Sequence, residues 1–390
     1  MTFEINHGPE GFSLAARDKL PEPFAAYLSD YLRRVSRYKI IGYPGAAPLL
    51  SLYQPPLTTA VGKRTMEMRL ARRFRSERLP ATATIAVNKA CQCECAHCSA
   101  VFYNHSPKRP LSTPDLKEAM RQTVELGATH LILLGGEPLL NKDLPDLIRS
   151  VDSEKAVVTL FTNGEFLTLD RCRELRKAGL LGAFVSIDSP DPQIHDGLRR
   201  RQGLFEKAVA GIRNLKRASL IAAVSSYLSH QNLAEDHLER MMEFGKSAGA
   251  DEVTFFDAIP TGRWLHDTSG CLKATDRIKI RSLVDAYRKK NNYPGLAVQS
   301  LMTSEQGCAF CFAANTQFYL TAFGEMCPCD FTPLTIGSFP NESIAALWKK
   351  MVHTSPYDRR AKSCRMQDPE FRKKYIEPIS PQGGYPSPLA

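Results

Sequence analysis

From Ala81 onward, short apolar runs alternate with stretches in which apolar positions recur every three to four residues. The runs are ATATIAV (81–87), HLILL (130–134), AVVTLF (156–161), GAFVSI (182–187), LIAAVSS (220–226) and EVTFF (252–256). Near-continuous apolar runs of this length predict parallel strands covered on their outer face. The stretches between and after them predict helices. In the first, Ser112 stands where a cap is needed, and Leu116, Met120 and Val124 share one face. The others lie near 143–150, 168–178, 204–216, 233–247 and 275–290. Six strand–helix units in series predict an α/β fold, a partial (β/α)6 TIM-like barrel more than a closed eight-fold one. In such folds ligands sit at the carboxyl ends of the strands.

The alternation is absent from residues 1–80 and stops near residue 300. The chain is therefore expected to divide into an N-terminal extension (1–80), the barrel (81–300) and a small separate C-terminal module (301–390). The module shows one short amphipathic helix in ESIAALWKKM and a Pro- and Gly-rich end, SPQGGYPSPLA, that is expected to be a flexible tail.

Composition narrows the class. Of 390 residues, 43% are hydrophobic and 24% charged, which argues against collagen-like, disordered or coiled-coil chains. No apolar run approaches the ~20 residues that span a bilayer. The start, MTFEINHGPEGF, lacks a basic stretch followed by an apolar core. A reducing cytoplasmic location is expected. Eleven cysteines then need a reason. Nine fall in two groups, one at 91–98 and one at 308–364, and such clusters in a reducing compartment read as metal or redox sites. Cys172 lies in a helical pattern and reads as an apolar filler. Cys271, beside Gly270, is ambiguous.

The net charge of +10 is uneven. Residues 1–80 carry thirteen Lys/Arg against seven Asp/Glu, and no acidic residue occurs from Tyr31 to Met66. Tyr27, Tyr31, Tyr38, Tyr43 and Tyr53 interleave with Arg33, Arg34, Arg37 and Lys39. The plain reading is a solvated collar on the barrel. The sharper ones are a dock for an anionic membrane, with peripheral attachment, or for an acidic substrate. No recognition motif accompanies the charge, so nucleic acid is not expected.

The first cysteine group, ACQCECAHCSA, directly follows the first strand. Cys91, Cys95 and Cys98 have the spacing CxxxCxxC. Three thiolates on one loop suit three irons of a four-iron cluster and leave the fourth iron open. Structural zinc would ask for a fourth protein ligand. Cys93 is off this spacing and reads as a non-ligand.

CxxxCxxC at the end of a first strand resembles the radical S-adenosylmethionine (SAM) superfamily, and further segments strengthen the resemblance over residues 81–265. Gly135, Gly136, Glu137 and Pro138 form GGEP after the second strand, which the resemblance places against the methionyl amino group of SAM. Close backbone approach at the glycines and a carboxylate facing an ammonium would suit that contact. Asn163 lies in the TNG that ends the third strand. Ser186 and Asp188 end the fourth, where relatives contact the SAM ribose or carboxylate. His195, Asp196 and Arg199 resemble the HDxxR that follows, with Arg200 where a glycine is usual. Residues 259–263 resemble a PxGR stretch.

In the second group, Cys308 and Cys311 form CxxC, Gly324 lies thirteen residues after Cys311, and Cys329 lies five after Gly324. This resembles the SPASM and twitch extensions, which bind auxiliary iron–sulfur clusters. With Cys364 the only later cysteine, one auxiliary four-iron cluster is implied, held by Cys308, Cys311, Cys329 and Cys364. Cys327 is the alternative ligand, and structural zinc the alternative metal. The resemblance implies reductive cleavage of SAM to a 5′-deoxyadenosyl radical and hydrogen abstraction from a substrate C–H bond. Oxidation, cross-linking or epimerisation would follow, with flavodoxin or ferredoxin as reductant. Epimerisation needs an opposing hydrogen donor, for which Cys271 and Cys327 are candidates. Peptide, small-molecule and lipid substrates stay open, as does a non-catalytic iron–sulfur or zinc protein.

Overall fold

All six expected strands form. They are β3 (Thr82–Ala86), β4 (His130–Leu134), β5 (Val157–Thr162), β6 (Leu180–Ser186), β7 (Ile221–Leu228) and β8 (Glu252–Asp257). The computed structural model describes residues 3–16, 20–101, 103, 106, 108–299, 301, 311–379 and 386–389. The chain begins with a hairpin, β1 (Phe3–Gly8) and β2 (Gly11–Ala16), then α1 (Glu22–Val35) and α2 (Ala60–Phe74). The barrel helices are α3 (Thr113–Leu126), α4 (Leu144–Arg149), α5 (Leu169–Ala178), α6 (Pro192–Arg199), α7 (Leu204–Arg217), α8 (His230–Ala234), α9 (His237–Ala248) and α10 (Ala274–Arg288). Ser112 caps α3 as expected: its hydroxyl accepts from Asp115 N, and its own N–H donates to the Asp115 carboxylate.

The sheet is wider than the six-strand pattern. β9 (Gly295–Val298) adds a parallel strand beside β8. At the other edge β10 (Gln317–Leu320) pairs parallel with β3, and β11 (Met326–Cys327) pairs antiparallel with β10. The C-terminal segment thus extends the barrel sheet and does not stand apart from it. Its strands have four and two residues, too short for a period of two to show. The helix α11 (Ile344–His353) forms where ESIAALWKKM placed it. The expected flexible tail is also corrected in part. β12 (Leu334–Thr335) pairs with β13 (Ser387–Pro388), and Leu389 N donates to Thr335 O at 2.8 Å.

Strand residues alternate between two sides. Ala83, Ile85, Leu131, Leu133, Val158, Leu160, Ala183, Val185, Ala222 and Val224 join the helices in one core, with Cys172 fully buried among them. The other side faces the barrel axis and is more polar and aromatic, with Thr84, His130, Thr159, Phe161, Phe184, Glu252 and Phe256. Phe161 and Phe184 are register partners on β5 and β6, and their rings stack at 4.4 Å.

The N-terminal extension has its own small core, in which Phe3, Ile5, Leu28, Leu32, Met66 and Leu70 meet. It closes the amino end of the barrel. Ile41, Leu49 and Leu52 pack on Phe184, Ile221 and Ala223, and the Tyr53 ring lies 4.6 Å from that of Phe184. Leu52 N donates to the buried Glu252 carboxylate at 2.9 Å. From α2, Arg64 donates to the carbonyls of Val124, Ala128 and Lys155, which precede β4 and β5. Arg78 binds the carbonyls of Ala314, Val352 and Tyr357 and so ties the extension to the C-terminal segment. Of the basic charge read as a solvated collar, Arg64 and Arg78 are therefore inward-facing, while Arg33, Arg37, Arg73 and Arg75 are exposed. No described helix is long and apolar enough to cross a membrane.

Candidate active site

The loop after β3 is held by backbone contacts from three later segments. Gly136 N donates to Asn88 O at 3.2 Å, Glu137 N to Ala90 O at 2.7 Å, and Asn88 Nδ2 to Glu137 O at 2.8 Å. A Cβ on Gly136 would lie 2.2 Å from Ala90 O. The close approach that the GGEP glycines permit is thus to the cysteine loop itself. Gly262, with φ of +52°, repeats this from the other side: a Cβ there would lie 1.9 Å from Cys98 O. At the end of α6, Leu198 O accepts from Ala96 N at 2.8 Å, and Arg199 O accepts from Glu94 N at 3.3 Å.

The loop opens on a cavity of about 480 Å³ at the carboxyl end of the barrel. Cys91, Cys95 and Cys98 line it together, with Gly135, Gly136, Glu137, Asn163, Ser186, Asp188 and Arg199. Pro138 stands just outside, at the start of a short 3-10 turn. Cys93 also lines the cavity. Its thiol donates to Cys91 and Cys95 and lowers both below the usual thiol value, Cys95 to about 6. Burial pushes Cys98 up. Cys93 is off the ligand spacing but within the same thiol group.

Glu137 is fully buried, and its carboxylate accepts from Thr162 Oγ1 at 2.7 Å, Asn163 N at 2.8 Å and Leu139 N at 3.1 Å. Burial raises it to about 7, and these donors only partly offset that. Its carboxylate therefore joins β4 to the turn after β5. Asp188 is buried as well, but Arg199 reaches it with two N–H groups at 2.7 and 3.0 Å. Burial opposes the charge, and the Arg199 guanidinium and His97 outweigh it, holding Asp188 well below the usual carboxylate range. The rest of the HDxxR stretch supports this pair. His195 Nδ1 accepts from Asp188 N at 3.1 Å, and Asp196 accepts from Gly203 N and Phe205 N at the start of α7. Arg200 caps α6 with φ of +49°, the conformation for which a glycine is usual at this place.

The sequence reading missed an aromatic wall. The His97 ring lies 5.5 Å from Tyr227 and 5.6 Å from Trp264, and all three line the cavity. His97 had a signal, its place between Cys95 and Cys98. Tyr227 and Trp264 are single aromatics outside any motif.

Of the second group, the structure brings Cys311, Cys329 and Cys364 together. The Cys364 thiol donates to Cys311 and lowers it to about 6, while burial raises Cys329. Cys308 lies outside the described residues. Cys327 is fully buried in a separate apolar cluster with Tyr103, Tyr319 and Phe323. Cys271 and Cys327 line neither this cavity nor the second one at the amino end of the barrel. Asp330 and Phe331, which follow Cys329, line both cavities.

Among the described residues no three His, Cys, Asp or Glu side chains make a site for a single metal ion. The three thiols of the first loop share a cavity wall instead, a donor set that fits a cluster in which each iron takes its own thiolate. The Radical SAM superfamily family model matches residues 85–245. Residues 85–245 are a radical SAM domain, whose fold binds a four-iron cluster and SAM. An AdoMet-dependent heme synthase from Methanosarcina barkeri is 27% identical over 285 residues, 66% of this chain and 79% of that protein. A probable GTP 3′,8-cyclase from Archaeoglobus fulgidus is 26% identical over 284 residues, 70% of this chain and 94% of that one. Among solved structures, Streptococcus suis SuiB bound to precursor peptide SuiA has a TM-score of 0.59 at 13% identity, covering 91% of this chain and 88% of that one. The protein anSMEcpe with bound AdoMet has a TM-score of 0.56 at 20% identity, covering 76% and 86%. These likenesses agree with the partial-barrel fold.

Proposed function

We propose that this radical SAM enzyme oxidises a substrate held inside the barrel, with Cys91, Cys95 and Cys98 carrying the SAM-binding cluster and Cys308, Cys311, Cys329 and Cys364 an auxiliary one. Bound there, cluster and SAM would supply one-electron cleavage of the sulfonium and, through it, hydrogen abstraction from a substrate C–H bond. The chain's residues bind and orient. Gly135 and Gly136 line the cavity beside the cysteine loop, and Asn163 and Ser186 add polar groups. Arg199, fixed by Asp188, keeps a positive charge where a carboxylate would lie. His97, Tyr227 and Trp264 offer flat surfaces for an adenine ring.

The observation that carries the oxidative reading is the position of Cys329. The two residues after it form wall shared by both cavities, so Cys329, with Cys311 and Cys364, would hold an auxiliary cluster whose chemistry there would be that of an electron acceptor. Cys271 and Cys327, the candidate hydrogen donors, face neither cavity, which counts against epimerisation. Flavodoxin or ferredoxin would supply the first electron. Relatives named for heme synthesis and for GTP cyclisation share this scaffold, so the substrate must be sought in the cavity lining.

The test is anaerobic incubation with SAM and dithionite, with 5′-deoxyadenosine measured by chromatography. Iron should reach about eight per chain, the sum of two four-iron clusters. About four irons with one zinc would remove the auxiliary cluster and the oxidative reading with it.

A further inference from the structure

The turn after β5 carries an acid outside the cavity lining described above. Glu165 lies two residues beyond Asn163, and its side chain is only 4% exposed. Donors from three other segments meet on its carboxylate. Gln92 Nε2, in the cysteine loop, reaches Oε2 at 2.7 Å. Arg201, which links α6 to α7, reaches Oε2 through Nε at 3.1 Å and Oε1 through Nη2 at 2.7 Å. Lys207, on α7, reaches Oε1 at 2.7 Å. Arg201 leads in lowering the carboxyl to about 2, against the opposing effect of burial. Gln92 stands between Cys91 and Cys93 and uses both ends of its amide. Its Oε1 accepts from the Cys91 thiol at 3.9 Å, while Nε2 also reaches Asn163 Oδ1 at 3.3 Å. Glu165 N donates to that same oxygen at 3.0 Å. With its oxygen occupied by two donors, the Asn163 amide turns Nδ2 toward the loop, 3.6 Å from Cys93 Sγ.

We propose that Glu165 is a positioning residue for the SAM cluster, fixing through Gln92 and Asn163 the Cys91–Cys93 turn in the shape that receives iron. The inference rests on the reading above that Cys91, Cys95 and Cys98 carry that cluster. The backbone ties already described fall at Asn88 and Ala90 and at Glu94, Ala96 and Cys98, on either side of this turn. Gln92 reaches the stretch between them. A loop loses conformational freedom when its thiols converge on one cluster, and a loop already held loses less. A carboxylate suits the hub because it only accepts and can meet all four donors, with charge assistance from Arg201 and Lys207. An amide in its place would set an NH2 group against other donors. Arg201 and Lys207 alone would brace the β5 turn on α7. The contact that gives Glu165 a part in cluster binding is therefore Gln92.

The test uses the full chain with reconstituted clusters and follows the SAM cluster apart from activity. Added SAM alters the EPR signal of a dithionite-reduced cluster that has an open iron. The SAM-sensitive signal therefore reports this cluster and not an auxiliary one held by four thiolates. On exposure to an iron chelator, Glu165→Gln and Gln92→Leu should each lose that signal about tenfold faster than wild type, the scale of one hydrogen bond to a charged group. Glu165→Asp, which keeps the charge, should lose it at an intermediate rate. The double variant should be no worse than the more severe single one, because both changes remove the same contact. Melting followed by circular dichroism checks the fold. If Glu165→Gln melts early, Gln92→Leu still decides, since it leaves Arg201 and Lys207 on the acid. Retention at the wild-type rate in Gln92→Leu overturns the proposal and leaves Glu165 a brace between β5 and α7. Additive losses in the double variant overturn it too, since the two residues would then act separately. A wild type with no SAM-sensitive signal would defeat the cluster reading itself, a result distinct from unchanged retention in the variants.

Discussion

The two ends of the barrel are built by different means. At the carboxyl end, each side chain belongs to a short segment at or just after a strand end, and neighbouring segments lock together through backbone. Gly136 and Gly262 press on the cysteine loop from opposite sides, and the end of α6 pairs with it. At the amino end, the lining comes from α1, α2, the 38–54 segment, α10 and the C-terminal segment, and the extension is tied down by long side chains such as Arg64 and Arg78. The buried acids show the contrast. Asp188 has a guanidinium at 2.7 Å and is held ionised, whereas Glu252 has a backbone N–H at 2.9 Å and is pushed up to about 7. Glu137, at the carboxyl end, is also raised to about 7, so what sets that end apart is the Asp188–Arg199 ion pair together with the backbone lock.

The comparison breaks most severely if the carboxyl end does not hold the chemistry. Cys91→Ala, Cys95→Ala and Cys98→Ala together should reduce 5′-deoxyadenosine to the protein-free background and leave about four irons from about eight. Cys93→Ala should keep the iron and most of the product, since the thiol group retains the three spaced cysteines. Loss of the cluster in Cys93→Ala would transfer a ligand role to that residue.

Gly136→Ala asks whether the backbone lock matters without touching a thiol. The added methyl must displace Ala90 O, 2.2 Å away. The expected cost is about 1–3 kcal/mol in melting experiments, together with a fall in bound iron because the loop cannot keep its place. An unchanged iron count would mean that the loop holds its shape without the glycine contact.

The same contrast explains what could be read from the sequence. β3 to β8 were visible because each is a run of apolar residues beside an amphipathic helix. β10 was not, because Gln317–Leu320 is only four residues, and neither was the docking of Ser387–Pro388 in a segment rich in proline and glycine. Asn163, Ser186, Asp188 and Arg199 line one cavity with the three cysteines because motifs record adjacency at strand ends. The role expected of Glu137 was less legible: its type was visible, but not the three donors that turn its carboxylate inward. Arg69 and Arg288 had no signal linking them, since only the fold brings α2 and α10 to one cavity.

Glu252 provides a pH test of the amino end. Burial raises its carboxyl to about 7, against about 4.3 in an unfolded chain. A raised acid favours the folded state most when protonated. Its stability contribution is fully present below about pH 4 and is lost as pH rises through 7. Glu252→Gln keeps an oxygen for Leu52 N and removes this loss. Melting curves should nearly coincide at about pH 4, with the variant ahead by about 1–2 kcal/mol at pH 8. A wild type whose stability does not fall relative to the variant across this range would show that Glu252 keeps its charge, as Asp188 does at the other end.

The smallest effect lies at Arg200. It ends α6 in a left-handed conformation, φ of +49°, with its side chain exposed. For a residue with a Cβ this costs roughly 1–2 kcal/mol, and glycine escapes it. Glycine also loses more freedom on folding, which offsets part of the gain. Arg200→Gly should therefore stabilise the chain by roughly 0.5–1 kcal/mol, visible as a rise in Tm of a few degrees or less for a chain of this size. The hydrogen bonds from Glu94 N and Ala96 N to the end of α6 should persist, so bound iron should not change. A drop in Tm would mean that the Arg200 side chain makes a contact worth more than the backbone strain. The arginine would then be part of what holds α6 against the cysteine loop, not a tolerated departure from the glycine usual there.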